Sequence, residues 1–138
     1  IAIPNDPTNG GRGLLLLQRA GLLKLKYGVG MKATPKDVVD NPKHLKFKEL
    51  EAAQLPRSLA DVDAAAITMN YVMSGGLDVK KQNIFLEPKD EPLAVMIIAA
   101  RNKDKDKEAY KAFVKAYQSE AVKKFIADKY KGTIEPAF

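Results

Sequence analysis

The chain has 138 residues, 46% of them hydrophobic and 29% charged, with a net charge of +6. This suits one ordinary globular domain. There is no low-complexity tract, no internal repeat, and no apolar run near the roughly 20 residues needed to span a bilayer. With no Cys and a single His, disulfides and thiolate chemistry are excluded within these residues, and Ser–His or metal catalysis has no support.

The positive charge is mostly Lys, scattered and interleaved with acids, as in Lys103-Asp104-Lys105-Asp106-Lys107-Glu108. It reads as a solvated surface. A nucleic-acid site would cluster Arg and Lys around aromatics, and no convincing cluster of that kind is present. A basic face toward anionic lipid is the other partner this charge allows.

Ile1-Ala2-Ile3 reads as a buried strand, and Pro4-Asn5-Asp6-Pro7 is turn chemistry. Thr8 or Asn9 is suited to cap a helix over about residues 11–22, with Leu14 to Leu17 in its apolar body. Arg12 then falls in the first helical turn, beside free backbone N–H groups and the positive end of the helix dipole. That is a place to hold a small anion such as a carboxylate. A chain that opens on a strand with no lead-in is expected to be the later part of a protein. Its first residue is not Met, so no leader can be read from it.

Lys24 to Tyr27 reads as a short strand or loop. Thr34-Pro35 supplies an N-cap and a Pro at the first helical position, so a short helix is expected to about Asp40, stopped by Asn41-Pro42. Residues 45–50 alternate apolar and polar, the mark of a strand with one buried face. A turn and short helix follow over residues 51–59. Ala64 to Met69 is a small-residue apolar run, the pattern of a strand buried on both faces. Asn70 stands at its carboxyl end, and a short helix from Tyr71 to Met73 ends at Gly75-Gly76. Ile84-Phe85-Leu86 is a strand candidate and Val95 to Ala100 a stronger one. Two helices close the chain. One runs over about residues 107–117, with Ala109, Tyr110, Phe113, Val114 and Tyr117 on one stripe. The other runs over 119–130, with Val122, Phe125, Ile126 and Tyr130 on a stripe, Ser119 as N-cap and Gly132 just beyond its end.

Strands alternating with helices predict an α/β fold with a mainly parallel sheet and helices on both faces. In such sheets ligands sit beyond the carboxyl ends of strands, near helix N-termini. Arg12 and Asn70 share that position. Each also has a plain structural reading: Arg12 as a partner of Asp6 or a surface acid, Asn70 as a helix cap. Tyr71, Met69 and Met73 read as core. Gly10-Gly11-Arg12-Gly13 lacks both the P-loop Lys-Ser/Thr and the dinucleotide-binding spacing. His44 lies in a Lys-rich turn at the surface, and Glu49 and Glu51 read as solvated charge. Nothing points to an enzyme, a cofactor or a metal.

Four stretches run the length of the chain: IAIPNDPTNGGRGLLLLQRAGLLKLKYGVG, NPKHLKFKELEAAQLPRSLADVDAAAI, NYVMSGGL and AYQSEAVKKFIADKYKG. They resemble the second half of the substrate-binding lipoproteins of methionine-type ABC transporters, the NlpA family. The resemblance implies a two-lobed periplasmic-binding-protein fold with the ligand clamped between lobes. Residues 1–86 would form lobe two. Residues 87–138 would return to lobe one, with the strand near Val95 to Ala100 and the last two helices. The part of lobe one that carries the family's lipid-anchoring Cys and the aromatics around the methionine side chain would lie outside these residues. The implied ligand is L-methionine, a related amino acid or a methionine dipeptide. The implied partner is an ABC permease, at the periplasmic or cell-surface side of a membrane, with the lipid anchor outside this chain.

The family's Arg for the ligand carboxylate matches Arg12, and a bidentate guanidinium–carboxylate contact suits an amino acid. Two departures stand out. Family members commonly carry Asn where this chain has Thr68, with Asn70 two residues on. Many also carry Pro-Tyr-x-Asn where this chain reads Pro92-Leu93-Ala94-Val95-Met96, which puts Val95 or Met96 at the Asn position with an apparent one-residue insertion. The expected ligand-binding set is therefore Arg12, Thr68, Asn70 and Met96. Loss of a buried hydrogen bond to the charged end of an amino acid weakens binding by about 10- to 150-fold. The alternative is a non-transport surface lipoprotein of the same fold, an adhesin or antigen that no longer takes a ligand.

Overall fold

The structure is a computed structural model that describes residues 1–88 and 95–138. It divides into two compact units, Ile1–Leu86 and Glu87–Phe138.

Unit 1 is organised around β1 (Ala2–Pro4), all three residues of which are buried. On one side β1 pairs in parallel with β4 (Lys48–Leu50), Ala2 facing Lys48 and Pro4 facing Leu50. On the other side Ala2 forms a parallel bridge with Ala65: the Ala2 amide donates to the Ala64 carbonyl and the Ala66 amide to the Ala2 carbonyl, both at 2.9 Å. The strand expected over residues 64–69 is thus a single bridge, because the chain turns into helix α3 (Met69–Ser74) directly after it.

Helix α1 (Pro7–Arg19) covers the face of β1 to which Ile3 points. Ile3, Leu14, Leu17, Leu23, Leu25 and Ala66 form the core there. Leu55, on the short helix α2 (Leu55–Ser58), is fully buried outside that cluster, and α2 packs against β1 as well. The central strand is therefore packed by two helices, α1 directly following β1 and α2 following β4.

Helix α1 starts earlier than its sequence suggests. Asp6, not Thr8 or Asn9, is the N-cap: the Asn9 amide donates to Asp6 Oδ1 at 2.9 Å. Pro7 then occupies the first helical position, where its missing N–H costs nothing. The helix ends at Arg19, short of Leu22, because Gly21 takes a left-handed φ of +72°.

Strands β2 (Lys24–Leu25) and β3 (Val38–Asp40) form an antiparallel ribbon with a bulge between Lys24 and Leu25. The cap at Thr34 forms as expected, as a reciprocal box with Asp37, but it starts only one 3₁₀ turn, Pro35–Asp37. The β-branched pair Val38-Val39 then goes into β3 rather than extending a helix to Asp40. Pairing is thus parallel around β1 and antiparallel in this ribbon, which is a separate two-stranded sheet. A further short helix, α4 (Val79–Gln82), is capped by Asp78, whose side chain accepts from the Lys80 amide at 3.0 Å. Ile84–Leu86 forms no strand.

Unit 2 holds α5 (Glu108–Tyr117) and α6 (Glu120–Tyr130), close to their expected bounds. Ser119 caps α6 by accepting from the Val122 amide at 3.4 Å, and Gly132 follows it with φ +83°. The strand expected at Val95 to Ala100 does not form, and all six residues are exposed. A strand buried on both faces needs a hydrogen-bonding neighbour and two covering layers. The described part of unit 2 offers two helices and no strand. Residues 92–94 of the Pro92–Met96 comparison lie outside the described residues. No described helix is long and apolar enough to cross a membrane.

Candidate functional site

The Ala2–Ala65 bridge is parallel, so β1 and the Ala64–Ile67 segment present their carboxyl ends at one edge. Each leads straight into a helix there, β1 into α1 and Ala64–Ile67 into α3 through Thr68. Carboxyl ends of parallel strands beside helix N-termini are where open α/β sheets hold ligands.

Three glycines set how closely α1 approaches this edge. A Cβ at Gly10 would lie 2.7 Å from the Pro4 carbonyl oxygen, and one at Gly13 would lie 3.1 Å from Ala66 Cβ. A Cβ at Gly11 would collide with the Met31 carbonyl. The run that fails as a nucleotide loop is therefore a packing device: the missing side chains let helix backbone touch strand and turn. Arg12 sits between Gly11 and Gly13, and Thr68 lies two residues past Ala66. The glycine contacts thus bring the elements that carry them to the same edge of unit 1.

Arg12 is the sixth residue of α1 and lies in its second turn, not its first. The cap shift to Asp6 is the reason. It also changes the local electrostatics: the Asp6 carboxylate already occupies the helix N-terminus, and the Asn9 side-chain amide donates to it at 3.2 and 3.1 Å. A second anion at this end must be held by the guanidinium itself, not by free helix amides. Arg12 is half-buried and already engaged in the structure.

Thr68 is the N-cap of α3. Its carbonyl accepts from the Tyr71 amide at 2.9 Å and the Val72 amide at 3.1 Å, while its side chain makes no capping bond. The half-buried Thr68 hydroxyl is thus not spent on the helix. Asn70 lies in the first turn of α3 and is exposed, so the cap reading given to it belongs to Thr68. Met96 lies in unit 2 and is 91% exposed. Arg12, Thr68 and Asn70 are thus carried by unit 1 and Met96 by unit 2. Among the described residues no cluster of His, Asp or Glu could hold a metal ion.

One feature escaped sequence reasoning. A mainly apolar groove of about 670 Å³ runs beside the Ala64–Ile67 segment, between Leu16 of α1, Ala20 just past its end, Val72 of α3, Val79 of α4 and Phe85. It exists because that segment is paired on one side only among the described residues. The legible signal was a small-residue run with too few strand partners in the chain.

The sequence profile of the NlpA lipoprotein family matches residues 1–138. The D-methionine-binding lipoprotein MetQ of Escherichia coli O157:H7 is 55% identical over 124 residues, which cover 88% of this chain and 45% of that protein. Among solved structures, a nutrient-binding protein from Burkholderia cenocepacia bound to methionine is 49% identical with a TM-score of 0.89, over 99% of this chain and 58% of that one. A periplasmic substrate-binding protein of an ABC transporter from Coxiella burnetii is 40% identical with a TM-score of 0.88, over 99% and 57%. The chain thus spans about half the length of the relatives it matches. Its α/β fold is the one found in substrate-binding proteins, and the chain belongs to the NlpA lipoprotein family.

Proposed function

We propose that this chain is part of the solute-binding component of an ABC importer for methionine or a close relative of it. One observation carries the reading: over 99% of its length the chain resembles a protein whose structure holds methionine. In this reading residues 1–86 form one lobe of a two-lobed receptor, and residues 87–138 contribute to the other. Arg12 receives the ligand carboxylate through a bidentate contact. Thr68 and Asn70 serve the polar end of the amino acid, and Met96 lies toward the ligand from the second lobe. The protein works at the periplasmic or cell surface, delivers its ligand to a permease, and is lipid-anchored through a segment outside these 138 residues.

The test is a thermal-shift and calorimetric titration with L-methionine, D-methionine and methionine dipeptides. It is done on this chain joined to the portion of the Escherichia coli relative that the match leaves uncovered. A ligand at about 100 times its dissociation constant adds about 2.7 kcal/mol of stability. Arg12→Ala should cost about 10- to 150-fold in affinity, the worth of a hydrogen bond to a charged group. Tight binding that Arg12→Ala leaves untouched would remove Arg12 from the site. No stabilisation by any of these ligands would favour the non-transport lipoprotein, a reading to which Thr68 in place of the family's usual Asn lends weight.

A further inference from the structure

Unit 1 carries its positive charge in one place. Between residues 24 and 48 there are seven lysines against Asp37 and Asp40, while the rest of the unit has five Arg and Lys against six carboxylates. Both of those aspartates are engaged. Asp40 meets Lys24 Nζ at 3.2 Å, and Asp37 Oδ2 accepts from the Thr34 hydroxyl at 2.7 Å and the Thr34 amide at 2.9 Å. All seven lysines are exposed. The reading of the charge as scattered and interleaved holds for residues 103–108 and fails here.

The fold turns this stretch into a surface. Leu25 is buried, and Val38 and Phe47 pack against the same core. Strand alternation then directs Lys24 and Lys26 outward. Tyr27, in the turn two residues past β2, is fully exposed, and Val39, left over by the bulge in β3, is 66% exposed. Two solvated apolar side chains thus stand on or just beyond this ribbon, each within a lysine-rich stretch of sequence.

We propose that the β2–β3 ribbon and the loop to β4 form a docking face for a bilayer surface rich in anionic headgroups. The lysines meet the headgroups, and Tyr27 and Val39 enter the interfacial layer. Lysine clusters are drawn to anionic leaflets, and Tyr favours the boundary where its ring is apolar and its hydroxyl wet. The cations of the stretch are all Lys, without the Arg forks that nucleic-acid recognition favours. Membership of a lipoprotein family supplies the setting, and the inference does not depend on which ligand the protein carries.

The test is co-sedimentation of the 138-residue chain with vesicles of phosphatidylglycerol and phosphatidylcholine, and with phosphatidylcholine alone. Binding is expected to the anionic vesicles only. It should fall when salt rises from about 0.05 M to about 0.5 M, as exposed charges are screened. Lys26→Glu, Lys36→Glu and Lys43→Glu together should lower partitioning by more than about tenfold. Lys111→Glu with Lys115→Glu on α5 should leave it unchanged. Tyr27→Trp should report insertion through a blue-shifted emission on vesicles. Equal loss from the α5 reversal would show general charge attraction and overturn the proposal. So would undiminished binding by the triple variant, or binding to an oligonucleotide without binding to vesicles.

Discussion

Every residue of β1 in unit 1 is buried, whereas unit 2 buries no hydrophobic side chain among its described residues. The contrast is one of sequence distance. The core of unit 1 joins Ile3 to Leu14, Leu25 and Ala66, contacts that only a folded chain can make. Unit 2 is held largely by near neighbours, apart from Phe138, whose ring lies 6.3 Å from that of Tyr117. Lys111 pairs with Glu108 at 3.1 Å, Lys123 with Glu120 at 2.9 Å, and the Phe113 and Tyr117 rings lie 6.2 Å apart. The one buried side chain among its described residues is Asp104, gripped by Arg101 Nε and Lys107 Nζ at 2.7 Å each. Local pairs of this kind contribute a few tenths of a kcal/mol each, while one buried Leu contributes about 3 kcal/mol. Helices can therefore be defined locally in both units, but only the contacts of unit 1 bury a face.

Substitutions can break that comparison, and the largest effect is expected at Leu14. Leu14→Ala should cost about 3–5 kcal/mol in urea unfolding. Hydrogen exchange should speed at β1 and not at α5 or α6; equal acceleration in both units would show that they unfold together. Gly11→Ala comes next. Its new Cβ meets the Met31 backbone, so a loss of about 1–3 kcal/mol is expected from overpacking. A neutral result would mean that the turn at Met31 yields freely.

In unit 2, Asp104→Ala should cost about 1–2 kcal/mol, reduced from the value for a fully buried pair because Arg101 and Lys107 are mostly solvated. Exchange at the first turn of α5 reads that loss. Phe113→Ala, by contrast, should change stability by less than about 0.5 kcal/mol, since that ring is already 56% exposed. A large effect there would mean that the ring is covered in solution.

The smallest effect concerns Asp37. Bonds from the Thr34 hydroxyl and amide hold its carboxyl below the usual carboxylate range, against an opposing desolvation and with a smaller assist from the Lys26 charge. Because the folded state prefers the charged form, this contribution is present above the unfolded value near 3.9 and is lost as pH falls through the lower folded value. Thr34→Ala should raise the Asp37 pKa in an NMR titration and leave stability at neutral pH nearly unchanged. An unmoved titration would mean that the capping box does not form in solution.

The family resemblance and the last two helices were legible because they rest on contiguous residues. Ser119 with Val122, the stripes at three- and four-residue spacing and Gly132 are all local signals. The strands were less legible. Val95 to Ala100 has the composition of a buried strand, but a strand is a relation between two segments, and composition names only one of them. The candidate site was half legible. Arg12 and Asn70 were read as lying beyond strand ends; the structure makes Thr68, read as part of a strand, the N-cap of α3 with Asn70 in its first turn, and the choice of Asp6 over Thr8 or Asn9 as cap moved Arg12 into the second turn of α1. Any of the three residues can cap, and the turn from β1 decides which one does.

Composition, capping residues and periodicity by themselves determined the α/β class, the helices near the C-terminus and the absence of cysteine chemistry within these residues, while the family came from the resemblance of contiguous motifs. Tertiary structure alone decided that Gly10, Gly11 and Gly13 are contact surfaces, that Ala65 makes one bridge and not a strand, and that all seven lysines of residues 24–48 stay exposed. The physical reason is the same in each case. Helix signals act within four residues, whereas backbone approach, strand pairing and burial depend on segments that meet only after the chain has folded.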